Sequence, residues 1–137
     1  MSWAGSKGIL QKVRSLLRFK QAPSVSSNED ASIAAAVRSW EESKAYLLAE
    51  SNPSKCAQRM GITTAQLYNY CLKVKGEDFR TWRTRLRINE AKKQLLEEPK
   101  TPVSVIARRV GINDRSNFSR LFKEHTGVLP TEWRGQK

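Results

Sequence analysis

The chain has a single histidine, His125, and only two cysteines, Cys56 and Cys71, in 137 residues. Metal sites and thiol catalysis both draw on these residue types. The cysteines stand far apart, without a C-x-x-C pair or a histidine beside them, and a nucleophilic thiol needs a base and a third orienting group. They read as reduced core residues of a cytosolic protein. No glycine-rich phosphate loop is present, and no pair of carboxylates falls in a plausible cleft. An enzyme is therefore the weakest reading, and neither a metal nor a cofactor is expected. No run of eighteen apolar residues exists, so no segment has the length of a membrane-spanning helix. The basic residues near the start are interspersed with apolar ones and do not precede an apolar block, which is not the pattern of a secretory leader.

Acidic residues are also few: 13, against 25 Lys and Arg, for a net charge of +12. The imbalance is uneven. Residues 1–28 carry five bases and no acid, 29–50 carry two bases and five acids, and 51–137 carry eighteen bases and eight acids. Such a distribution suits a polyanionic partner, either nucleic acid or an anionic membrane face; the plain alternative is solubility. With 39% apolar residues the chain has room for one domain with a real core, plus a tail.

Residues 1–30 read as a basic N-terminal tail and linker. Positions 1–8 (MSWAGSKG) read as disordered, the start of a flexible tail. In 9–20 (ILQKVRSLLRFK), Ile9, Val13, Leu16 and Leu17 share one helical face, with Lys12, Arg14, Arg18 and Lys20 around the rest. APSVSSNED is a polar linker. From 31 to 137 the pattern is all-α, with no strand alternation. A first helix is expected over 32–50, anchored by Val37, Trp40, Tyr46, Leu47 and Leu48. Asn52-Pro53 is a cap followed by proline at the first helical position, opening a helix to Met60. Gly61 turns the chain, and Thr63 with Gln66 has capping-box spacing for a helix ending at Gly76. A long helix follows over 78–98, with Phe79, Trp82, Leu86, Ala91 and Leu95 inward and Arg83, Arg85, Arg87, Lys92 and Lys93 spread around it. Pro99 and Pro102 end it. Thr101-Pro102 repeats the cap-plus-proline device for a helix to Val110. Gly111 turns the chain again, Asp114 caps a helix to about His125, Gly127 stops it, and 130–134 forms a last short turn.

The second half of this domain echoes the first. Ala57-x-x-x-Gly61-Ile62 recurs as Ala107-x-x-x-Gly111-Ile112, Leu67 answers Phe118, Cys71 answers Phe122, Gly76 answers Gly127, and Trp82-Arg83 answers Trp133-Arg134. In each copy a small Ala lets the next helix cross closely, Gly supplies the turn, and Ile fills the angle. This is the helix-turn-helix arrangement, with its second helix presented outward. The units are expected at about 52–76 and 101–127, joined by the long helix.

At these residues the chain resembles the AraC/XylS family of bacterial transcription regulators. Val110-Gly111-Ile112, the run 117–127 (NFSRLFKEHTG) and Pro130-Thr-Glu-Trp-Arg134 resemble that family's second motif, and 86–96 (LRINEAKKQLL) its linker helix. The resemblance covers about residues 35–135. It implies about seven helices and two reading heads on one chain, entering adjacent major-groove segments about one helical turn (~34 Å) apart.

On the second recognition helix Phe118, Leu121 and Phe122 face the core, and Arg115, Ser116, Asn117 and Arg120 lie where base edges are read. Arg suits a bidentate bond to guanine. On the first, Leu67, Tyr70 and Cys71 point inward and the outward set is Thr64, Ala65, Gln66, Tyr68 and Asn69. Here the chain departs from the family, which often has basic residues where Asn69 and Leu72 stand. Asn and Gln pair bidentately with adenine, so this unit either prefers A·T steps or serves mainly as support. Phosphate grips are expected from Ser54, Lys55, Lys73, Arg83, Ser104 and Lys123, with backbone N–H groups at Ser54, Lys55, Ser104 and Val105. His125 reads as a surface residue or a partner of the helix C-terminus.

The expected partner is double-stranded DNA, bound by a monomeric domain in the cytoplasm at the nucleoid, with RNA polymerase as a second partner of an activator. Family members commonly carry a sensor domain ahead of this one, so the chain is either a stand-alone DNA-binding protein or the C-terminal piece of something larger. For 9–20 four roles stay open: an anionic membrane surface, attachment to a lost membrane segment, a short coil, or, by default, a tail adding nonspecific DNA affinity. The competing reading of the whole is a helical interaction module with a basic face for a protein or membrane partner.

Overall fold

The computed structural model describes residues 23–49 and 52–135. The described elements are helices: α1 (Pro23–Glu42), α2 (Pro53–Met60), α3 (Thr64–Tyr70), α4 (Phe79–Glu97), α5 (Val103–Arg109), α6 (Arg115–Thr126) and α7 (Pro130–Gly135). A short 3-10 turn at Ala45–Leu47 follows α1, and a wide-wound turn at Cys71–Lys75 extends α3. Seven helices and no strand among the described residues match the all-α expectation. The chain divides into two compact units, Met1–Ser32 and Ile33–Lys137. Of the first, only the opening turns of α1 are described, and residues 28–32 are exposed there. The irregular start and the amphipathic stretch 9–20 lie outside the described residues.

The first helix differs from expectation at both ends. It begins at Pro23, inside the segment read as a linker. Proline is tolerated at a first helical turn, and no Gly or Pro interrupts the chain again before Pro53. It ends at Glu42 because Lys44 takes a left-handed conformation (φ 60°), after which the 3-10 turn redirects the chain. Leu48 consequently stands 47% exposed rather than anchoring a helix.

Two cores form in the second unit. In the first, Val37, Trp40 and Tyr46 meet Cys56, Leu67, Cys71, Phe79 and Trp82. Trp40 lies 5.7 Å from Phe79 and 5.9 Å from Trp82, ring centre to ring centre. In the second, Ile88, Ala91 and Leu95 meet Val103, Ile106, Val110, Ile112, Phe118 and Phe122. The helix α4 serves both. Its i, i+4 row Phe79, Arg83, Arg87, Ala91, Leu95 is buried throughout, which corrects the reading of Arg83 and Arg87 as surface residues; Leu86, expected inward, is half-buried.

After α1, the helix starts follow the sequence signals with one exception. Asn52 Oδ1 accepts the Ser54 N–H at 2.8 Å, Asp78 Oδ1 that of Thr81 at 2.8 Å, and Asp114 Oδ1 that of Ser116 at 3.0 Å. Thr101 does not cap α5. Its hydroxyl donates to Glu98 at 3.0 Å, Pro102 takes the capping position, and Thr101 O accepts from Arg134 at 2.7 Å. Trp133 Nε1 donates to Lys92 O at 3.1 Å, and Arg134 also bonds Leu95 O at 3.2 Å and Glu98 O at 3.1 Å. Arg134 thus satisfies carbonyls that α4 leaves open at its end, while Trp133 adds a second donor to Lys92 O inside the helix.

Candidate nucleic-acid interface

Each helix-turn-helix unit rests on the same local devices. In the first, Gly61 closes α2 in a left-handed conformation, Ile62 N–H donates back to Ala57 O at 3.0 Å, and Ala57 lies buried at the crossing. In the second, Ile112 N–H donates to Ala107 O at 2.9 Å after Gly111, with Ala107 buried. The helix after each turn, α3 or α6, is pinned inward by its apolar residues: Leu67 and Cys71 in one, Phe118 and Phe122 in the other, all fully buried. Tyr70 and Leu121, expected inward, are half-buried. The opposite faces are therefore left outward.

On α6 the outward face carries Arg115, Ser116 and Arg120 exposed, with Asn117 half-buried beside them and Lys123 exposed one turn on. Arg120 is held in place along its own helix: Nη1 donates to Glu124 Oε2 at 2.9 Å and Nη2 to Asn117 Oδ1. Both members of the ion pair are more than half exposed, so exchanging it for another acceptor costs little. The contact with Asn117 means these two side chains act together.

On α3, Ala65, Tyr68 and Asn69 are exposed and Thr64 is half-buried. Gln66 is committed elsewhere. Its Oε1 accepts the Thr63 N–H at 2.9 Å while its own N–H donates to Thr63 Oγ1 at 3.0 Å. Bidentate pairing with adenine needs that oxygen free, so Gln66 is a cap in this structure. A glutamine three residues after a threonine is the sequence signal for that role. The outward face continues instead into Leu72, 60% exposed, and Val74, 56% exposed. Tyr68 and Leu72 border a shallow groove with Asp78, Phe79 and Arg80. The face of the first unit is thus apolar and neutral where that of the second is basic.

The phosphate candidates divide. Ser54 and Lys55 are exposed at the start of α2, but the Ser54 N–H is taken by Asn52 Oδ1 and the Lys55 N–H by Asn52 O at 3.1 Å. Any grip there falls to the hydroxyl and the ammonium. Ser104 and Val105 are half-buried at the start of α5, and the Val105 N–H already donates to Pro102 O at 3.0 Å. Lys73 and Lys123 are exposed. Arg83 is not available for phosphate. It is 5% exposed, its Nη1 lies 3.8 Å from Cys56 Sγ, and its guanidinium sits over the Phe79 ring at 5.2 Å. Its position after Trp82 corresponds to that of Arg134, another residue turned inward.

Burial pushes the Cys71 thiol up to about 11, which keeps it protonated. His125 is half-buried, and burial first, then the Arg85 charge, lowers its pKa. Sequence reasoning passed over Arg87. The residue is 6% exposed, and its guanidinium bonds the backbone carbonyls of Tyr46, Leu48 and Gly111. Burial and the neighbouring Arg83 charge lower its pKa to about 10, so it stays charged at neutral pH.

Two helix-turn-helix units on one connecting helix define a class of compact DNA-binding domain. A family model described as a helix-turn-helix domain matches residues 56–136, and the chain belongs to this family of AraC-type domains. It is 35% identical over 89 residues to the arabinose operon regulatory protein of Escherichia coli (strain K12), a match covering 64% of this chain and 30% of that protein. The chain spans less than a third of the length of the curated relatives it matches. Among solved structures it is similar to the C-terminal domain of AraT, a response regulator from Geobacillus stearothermophilus, with a TM-score of 0.68 and 23% identity over 77% of this chain and 85% of that one. A transcriptional regulator with an AraC-type DNA-binding domain from Chromobacterium violaceum gives a TM-score of 0.64 at 22% identity, over 80% of this chain and 95% of that one. At these identities the two structures establish the fold.

Proposed function

We propose that this chain is a sequence-specific, DNA-binding transcription regulator that lays α3 and α6 in adjacent major-groove segments of one duplex. The observation that carries this reading is the pair of helices whose inward sides are buried in separate cores, leaving outward a basic side on α6 and a mixed polar and apolar side on α3. On α6, Arg115, Ser116, Asn117 and Arg120 read base edges, with Arg120 the main guanine contact. On α3, Asn69 reads adenine while Tyr68, Ala65 and Thr64 offer apolar and hydroxyl contact to thymine methyls and neighbouring atoms. Ser54, Lys55, Lys73, Ser104 and Lys123 hold phosphate. The family to which the chain belongs supports DNA as the partner. RNA polymerase contact, coupling to a sensor domain, action as an activator and a place at the nucleoid are further parts of the same proposal. No helix among the described residues is long and apolar enough to cross a membrane.

Arg120→Ala tests the reading at its base-specific step. Its expected effect is a loss of about 1–3 kcal/mol of discrimination, roughly 5- to 150-fold in the ratio of cognate to scrambled DNA affinity. Competition binding at fixed salt measures that ratio. An unchanged ratio, with weaker binding to both duplexes alike, makes Arg120 a phosphate contact and overturns the base-reading assignment.

A further inference from the structure

We infer that Arg87 is the positioning residue that locks the two recognition helices at a fixed relative placement, and so sets which spacing between two DNA half-sites the domain accepts. The inference rests on the reading of the chain as a two-headed DNA binder. Arg87 lies on α4 where the first core gives way to the second: Phe79 and Trp82 belong to one cluster, Ile88, Ala91 and Leu95 to the other. Between them the buried row is charged, with Arg83 and Arg87 the buried polar residues among those described.

The guanidinium of Arg87 bonds carbonyls from both sides of this junction. Nε donates to Tyr46 O at 2.6 Å and Nη2 to Leu48 O at 2.6 Å, both in the segment that leads from α1 toward the first unit. Nη1 donates to Gly111 O at 3.4 Å, in the turn between α5 and α6. One rigid planar fork therefore ties the approach of the first unit to the turn of the second, from the helix that carries both. Leu47, between the two bonded carbonyls, packs against both cores. A second polar tie in this region, Lys44 to Glu90 at 3.3 Å, has its lysine 47% exposed and lacks the fixed fork of a guanidinium.

A residue needed only to fill space here would not be charged. A buried cation is costly unless its hydrogen-bonding groups are met, and an apolar side chain of similar volume would pack without that requirement. What the guanidinium adds is direction, because its donors lie at fixed angles in one plane; a lysine ammonium lacks that fork. Loss of the fork leaves each helix-turn-helix unit with its own core but loosens the angle between them. Two linked reading heads gain affinity only when both can engage at once, so the loss falls on bipartite DNA.

The full chain is titrated, by fluorescence anisotropy, with three duplexes: the bipartite site recovered from a random pool, the same site with one block scrambled, and the same site with extra base pairs between its blocks. The wild type is expected to bind the spaced duplex about 100-fold more weakly than the bipartite one. Arg87→Met should lose about tenfold or more on the bipartite duplex, stay within about twofold on the single-block duplex, and be far less sensitive to the inserted base pairs. Arg87→Lys keeps charge and length and should show the same pattern with a smaller loss; it carries the test if the methionine protein does not fold. Variants that keep the wild-type spacing penalty, or that weaken equally on bipartite and single-block DNA, overturn the positioning role while leaving the two-headed reading intact. A wild type that fails to distinguish the bipartite from the single-block duplex overturns that reading and the inference with it.

Discussion

Replacing Gly111 with alanine is expected to destabilise the domain by about 3 kcal/mol or more, and so to lower its melting temperature by more than about 10 °C. Two effects add at this position. Gly111 has φ +87°, a backbone conformation that costs an ordinary residue about 1–3 kcal/mol. A Cβ there would also stand 2.8 Å from Leu47 O and 3.0 Å from Arg87 Cζ. The first neighbour is backbone and the second is a guanidinium already bonded to three carbonyls, so neither yields cheaply. Gly61, at the equivalent turn of the first unit, has nearly the same φ, +78°, and nothing within 4 Å of a built Cβ. Gly61→Ala should therefore cost only the conformational part, about 1–2 kcal/mol. Thermal melts of the two variants make the comparison. Equal losses would contradict the close approach of the second turn to Arg87 and Leu47.

The second large effect is on DNA affinity. Between 50 and 200 mM salt, binding to any duplex should weaken about a thousandfold, with a log–log slope near −5, if about six phosphates are neutralised. The bases fall into two groups. Arg85 is paired with Glu77 at 2.9 Å and Arg109 with Glu98 at 2.8 Å, so part of the positive charge is already compensated within the protein. Lys55, Lys73, Arg115 and Lys123 are exposed and have no ion-pair partner among the described residues. Changing Lys123 or Lys55 to alanine should each make the slope shallower by about one, without altering base preference. A wild-type slope shallower than about −2 would contradict a phosphate-dominated grip.

Much of this was readable in the residues. The turn glycines, the Asn52, Thr63 and Asp114 caps and the offset repeat act within a few positions of the chain, and local physics decides them. The start of α1 was missed because a Ser-rich segment after a proline signals a loop about as well as a helix, and nothing local chooses between them. Gln66 was legible twice over: the same residue type suits an adenine and a capping box, and only the bond to Thr63 decides. Arg83 and Arg87 were the larger omission. Charge predicts exposure in most helices; Arg87 is brought inside by carbonyls far away in sequence, and Arg83 lies between Cys56 and the Phe79 ring one turn before it. The i, i+4 row from Phe79 to Leu95 was the available signal, since each step but two is apolar. The repeat also concealed an inequality. Trp82-Arg83 and Trp133-Arg134 match in letters, yet one arginine is enclosed beside Cys56 and the other closes the end of α4.

Two unequal heads reading one duplex, α6 through basic residues and α3 through Asn69 and an apolar face, should leave a two-part signature in the DNA they select. Selection of bound sequences from a random duplex pool measures it directly. The expected result is an enriched site with two conserved blocks about one helical turn apart, a guanine-containing block answering Arg120 and an A·T-rich block answering Asn69. Enrichment of a single block would contradict a two-headed reader, and no enrichment over background would contradict sequence-specific DNA binding altogether.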